Sequence, residues 1–115
     1  MTALEVIRDV DGKMHNVFTQ QQKLDWLSRA ERMVRRLLKR SGAEAETAQI
    51  TEDTELSAPS PYDALYCRWL EAQIHYANQE YLKFNNAMAL FSALWQDYSN
   101  FVRRGAAPAG RRRFF

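Results

Sequence analysis

Residues 60–105 read SPYDALYCRWLEAQIHYANQEYLKFNNAMALFSALWQDYSNFVRRG, and this stretch decides the fold. Between Pro61 and Gly105 it holds neither glycine nor proline, so residues 62–104 contain no obligatory helix breaker. Apolar side chains recur at helical rather than alternating spacing. Ser60 as N-cap, Pro61 in the first turn and Asp63 at the capping-box position predict where a helix begins. Tyr62, Leu65, Tyr66, Trp69, Gln73, Tyr76 and Ala77 then share a face. Asn78 is the candidate turn or kink. A last helix over about 80–104 carries Phe84, Ala87, Met88, Phe91, Leu94, Trp95, Tyr98, Phe101 and Val102 in an a/d/e pattern and ends at Gly105.

Working outward, residues 3–11 read as a short helix, with Thr2 and Glu5 at capping-box spacing and Gly12 as a left-handed stop. Its apolar stripe is Leu4, Ile7 and Val6 or Val10. A second helix begins after Thr19, which has Gln22 three residues on, and runs to about Arg40 before Gly42. Leu24, Leu27, Ala30, Val34, Leu37 and Leu38 fall on one side of it, and Arg29, Arg32, Arg36, Lys39 and Arg40 on the other. Residues 43–60 read as a loop. The expected fold is all-α: a small four-helix bundle with a long C-terminal helical hairpin, a single domain over 1–105 and a flexible basic and aromatic tail over 106–115.

The chain has 115 residues, 46% hydrophobic, which suffices for one packed domain and argues against wholesale disorder. Sixteen Lys and Arg against fourteen Asp and Glu leave a net charge of +2, too balanced for a protein whose main task is to coat nucleic acid. Cys67 stands alone, which excludes an internal disulfide and fits a reducing compartment such as the cytosol. No apolar run approaches the ~18 residues of a membrane span, and the N-terminus lacks the pattern of a secretory signal.

Charge is segregated although its total is small. Residues 29–40 sum to +5, residues 44–55 to −5 and residues 103–113 to +5. The acidic stretch includes Glu52, Asp53 and Glu55. The second basic stretch holds Arg103, Arg104, Arg111, Arg112 and Arg113, followed by Phe114 and Phe115. One reading is a solvated helix face beside a neutralising loop. A second is self-complementarity, in which the basic face of one copy meets the acidic loop of the next, a heterologous contact that can close into a ring. A third is phosphate contact by the arginines of residues 29–40, with Gln20, Gln21 and Gln22 at the start of the same helix.

Chemistry-bearing patterns are sparse. Cys67, Glu71 and His75 lie at i, i+4, i+8 on one helix face, but the outer two are ~12 Å apart along the axis, too far for one metal or one proton transfer. His15 falls in an expected loop. The acid pairs Asp9 with Asp11 and Glu52 with Asp53 have no catalytic partner in the sequence, and phosphate-loop, nucleophile-elbow and CxxC patterns are absent. The expectation is a non-enzymatic protein without metal or cofactor. Fourteen aromatic residues exceed what so small an interior hides, which favours an interaction surface. Arg111 to Phe115 has the look of a docking peptide.

Residues 51–66 (TEDTELSAPSPYDALY), 69–74 (WLEAQI), 76–81 (YANQEY), 85–91 (NNAMALF) and 22–27 (QKLDWL) resemble the head–tail connector, or adaptor, proteins of tailed bacteriophages and prophages. The resemblance runs from about residue 4 to Pro108 and is most specific over 51–91. It implies a virion structural protein: a homo-oligomeric, dodecameric ring below the portal that joins the DNA-filled capsid to the tail and extends the DNA exit channel. The implied partners are further copies of the chain, the portal protein and a downstream head-completion or tail protein, with transient non-specific DNA contact and no membrane. The implied location is the head–tail interface, and the host cytoplasm during assembly. The family often has Gly where this chain has Gln79, which puts a tight turn there in doubt. In that frame Arg29, Arg32, Arg36, Lys39 and Arg40 would face a neighbour or the channel, with Glu52, Asp53 and Glu55 as their acidic counterpart. Arg103, Arg104 and Arg111 to Phe115 would dock on the portal or tail. The competing expectation is a small helical DNA-binding regulator using the basic face of residues 29–40.

Overall fold

The computed structural model describes residues 1–40 and 50–106, with the side chains of Arg40 and Ala106 outside that description. Four helices account for most of it: α1 (Ala3–Lys13), α2 (Gln20–Arg40), α3 (Ala64–Ala77) and α4 (Tyr81–Ala106). Each start has an identifiable cause. Thr2 and Glu5 form a reciprocal capping box at α1, and Thr19 and Gln22 do the same at α2, with the Gln22 amide donating to Thr19 Oγ1 at 3.1 Å and the Thr19 amide to Gln22 Oε1 at 2.9 Å.

Three boundaries depart from the sequence reading. α1 runs through Gly12 to Lys13 and closes on Met14, whose extended backbone ends the helix without a left-handed residue. Ser60 and Pro61 belong to a turn in which the Pro59 carbonyl accepts from the Tyr62 and Asp63 amides. The helix therefore begins at Ala64, after Asp63, whose side chain makes no cap bond. At the far end α4 continues through Gly105 to Ala106, because a glycine flanked by helix formers terminates nothing by itself. The turn between α3 and α4 forms without glycine: Gln79 sits at φ 61°. The Glu80 amide donates to the His75 carbonyl at 2.9 Å and the Gln79 amide to Tyr76 at 3.0 Å, the paired bonds of a Schellman motif. Since a side chain in left-handed backbone costs about 1 kcal/mol, Gln79→Gly is expected to raise the unfolding free energy by about that amount. Urea titration checks this, and a loss of stability would show that the Gln79 side chain holds the turn.

α3 and α4 pair antiparallel along their length. Tyr62 meets Tyr98 and Phe101, Trp69 meets Phe91, and Tyr76 meets Tyr81 and Phe84 at the hairpin tip, with ring centroids 5.0–5.7 Å apart. α1 and α2 cover the other side of α3. The core joins Val6, Ile7 and Val10 of α1, Leu24, Leu27, Ala30 and Val34 of α2, Leu65, Tyr66, Leu70 and Ile74 of α3, and Phe91, Tyr98 and Val102 of α4. Ile50, Leu56 and Ala58 plug it from the connecting segment. That segment also clasps the chain start, where Thr54 and Glu52 carbonyls accept from the Ala3 and Leu4 amides and the Leu56 amide donates to Met1. The body is elongated, 51 × 29 × 19 Å. Among the described residues no helix is long and apolar enough to cross a membrane.

Candidate assembly surfaces

α2 presents opposite faces of opposite character. Leu24, Leu27, Ala30, Val34 and Leu37 are buried, and Arg29, Arg32, Arg36 and Lys39 are exposed nearly opposite them. At ~1.5 Å per residue these four cations span ~15 Å. None of the four reaches a carboxylate of a described residue within ion-pair distance. The fifth predicted cation, Arg40, has its side chain outside the described residues.

The acidic counterpart lies elsewhere on the body. Glu52 and Asp53 are exposed at the turn that clasps residues 1–4. Glu55 is already engaged, since its carboxylate pairs with the Met1 amino group, which leaves Glu52 and Asp53 as the free acids among the described residues of this stretch; Glu44 and Glu46 lie outside them. The turn is held on the core side of α2, so the chain does not neutralise its own basic stripe with this acid. Arg103 and Arg104 are exposed in the last turns of α4. Arg111, Arg112, Arg113, Phe114 and Phe115, predicted as docking residues, lie outside the described residues.

What holds the turn is a buried carboxylate that the charge count concealed. Glu31 is 1% exposed on the core side of α2. It accepts from Tyr66 Oη at 2.6 Å, Ser57 Oγ at 2.5 Å, the Ser57 amide at 3.2 Å and Arg35 Nε at 2.8 Å. Tyr66 Oη in turn accepts from the Ala58 amide at 3.0 Å. Burial first, and then the negative charge of Glu31, push the Tyr66 phenol pKa far up, which keeps its proton on the bond to Glu31. A second buried charge, Lys23, fixes the α1–α2 connection through both carboxylate oxygens of Asp11 at 3.0 Å and Asn16 Oδ1 at 3.2 Å. Both were detectable in principle, because each falls among the apolar positions of the α2 period, where a charge must find partners.

The possible chemical residues are dispersed into structural pairs. Cys67 Sγ donates to Asp9 Oδ2 at 3.4 Å, Glu71 pairs with Arg68, and His75 Nδ1 lies 3.0 Å from Glu80 Oε1. His15 is exposed. Among the described residues no three His, Cys, Asp or Glu side chains are grouped to hold a metal ion. Burial, and then the neighbouring Asp9, push the Cys67 thiol pKa up to about 12. Cys67 is therefore expected to resist a maleimide at pH 8 in the folded protein and to react within minutes in 8 M urea; prompt labelling of the native chain would contradict this burial.

Comparison of the chain with protein-family models, with curated proteins and with solved structures returns no match.

Proposed function

We propose that this protein is a structural assembly subunit, a head–tail connector whose copies dock side by side into a ring below a phage portal. The observation that carries the reading is the basic stripe Arg29, Arg32, Arg36 and Lys39 on the outer face of α2, unpaired among the described residues, with the exposed acids Glu52 and Asp53 held on its core side by Glu31. Charged surfaces displaced around one body satisfy each other between copies rather than within one, and a repeated heterologous contact closes into a ring when its rotation permits. The resemblance of residues 51–91 to phage connectors supplies the context, and the modest net charge suits a channel through which DNA must slide. The portal and the adjoining tail protein are the partners in this reading, and the head–tail interface its location.

Electron microscopy of lysates from a phage or prophage carrying a stop codon early in this gene tests the reading. Packaged or emptied heads beside detached, complete tails place the protein at the joint. Normal virions, or a block before any capsid appears, refute it. The same α2 stripe also suits a DNA-binding regulator. Changing Arg32, Arg36 and Lys39 to Gln separates the two: a connector loses assembly, whereas a regulator loses salt-dependent DNA affinity.

A further inference from the structure

The outer face of α4 has the composition of a contact surface, and among the described residues nothing covers it. From Phe84 to Val102 the only charged residue is Asp97, and Lys83 is the only other between Tyr81 and Val102. A helix turned to water normally carries charge along its exposed side. Here the exposed stripe runs Leu82, Asn86, Leu90, Ala93, Asp97 and Phe101 at spacings of three and four, and Leu82 is 81%, Leu90 49% and Phe101 45% exposed. α4 rests almost entirely on α3 through the opposite side, where Ala87, Phe91, Tyr98 and Val102 are buried.

We infer that this face pairs with the same face of a second copy, antiparallel, about a two-fold axis near residues 91 and 92. The stripe fixes direction and register. In an antiparallel pair that sets Leu82 against the partner's Phe101, Asn86 falls against the partner's Asp97 and Leu90 against the partner's Ala93, each contact occurring twice. The layers are then apolar on apolar at the ends and centre, and an amide donor on a carboxylate between them. Lys83 comes within a turn of the partner's Asp97, so the two charges of the face neutralise each other. A parallel pair would instead stack Lys83 on Lys83 and Asp97 on Asp97. Ala89 and Ala93 allow the backbones a close approach. The surface is narrow: a helix of this length buries roughly 400 Å² per copy, about half of a standard stable interface. The dimer is therefore weak, with Kd on the order of 0.1 mM.

Sedimentation equilibrium of the full chain over about 0.02–1 mM reads this directly. The expected average mass climbs from 13.4 kDa toward twice that value, and Leu90→Arg, at an exposed position, keeps the chain monomeric with an unchanged circular dichroism spectrum. Mixed Leu82→Cys and Phe101→Cys chains form a disulfide-linked heterodimer, whereas Leu82→Cys alone does not, because its two copies lie roughly 28 Å apart along the axis. A monomer throughout the range, a dimer that survives Leu90→Arg, or self-linking of Leu82→Cys overturns the inference. The surface is distinct from the α2 stripe. Growth beyond two copies that is abolished by Arg32→Glu and not by Leu90→Arg would support ring assembly while refuting this dimer.

Discussion

Glu31→Ala lowers the unfolding free energy by about 3 kcal/mol, the cost of opening a buried charged network. The substitution strips the acceptor from Tyr66 Oη and from both Ser57 donors and takes the Nε bond from Arg35. Each neutral donor left buried without a partner costs ~1 kcal/mol or more. For a domain of this size the melting temperature falls by roughly 12 °C. Glu31→Gln is the sharper variant, because it keeps the shape but brings amide donors to a place already crowded with donors. It should cost about 2 kcal/mol, against nearly nothing for the same exchange on an exposed helix face. Urea denaturation gives both values. A loss under ~1 kcal/mol for Glu31→Ala would mean that the network contributes little and that Ser57 and Tyr66 find other partners.

Trp69→Ala is the second large effect, again about 3 kcal/mol and at the lower end for a tryptophan truncation because the ring is half-buried. The indole ties three helices together. Its Nε1 donates to the Trp26 carbonyl of α2 at 2.8 Å, and its ring lies 5.2 Å from Phe91 of α4. Trp69→Phe keeps an aromatic surface and loses the hydrogen bond, so it costs about 1 kcal/mol. Equal losses for the two variants would assign the stabilisation to the bond rather than to packing.

The helices and their buried faces were legible because α1 and α2 obey a 3.6-residue period and carry reciprocal caps at Thr2 and Thr19. The glycine-free stretch also gave the hairpin. Three features were not legible. The turn at Gln79 breaks the glycine rule and is set by the bonds of Glu80 and Gln79 to the preceding helix, which no local preference of glutamine announces. The start of α3 was misplaced because Ser60 and Pro61 suit a turn as well as a first helical turn. Phe101, placed in the a/d/e pattern of the last helix, is nearly half exposed, because α4 lies almost entirely on α3 and its apolar residues extend around more of the helix than that neighbour covers. In the candidate surfaces, the basic stripe was visible as spacing. Glu31 was not, since a sum over residues 29–40 treats a charge on the core side like one in water.

The clasp at the chain start has a kinetic consequence. Amides at a terminus ordinarily exchange with solvent deuterium within seconds, since the end frays independently of the rest. Here the Ala3 and Leu4 amides are held by carbonyls some fifty residues further along, at Thr54 and Glu52. The connecting segment is held in turn by Ser57 on Glu31 and by Leu56 in the core. Deuterium therefore enters Ala3 and Leu4 at the pace at which the segment lifts from α2, making the first turn of the chain a reporter on the opening of its middle.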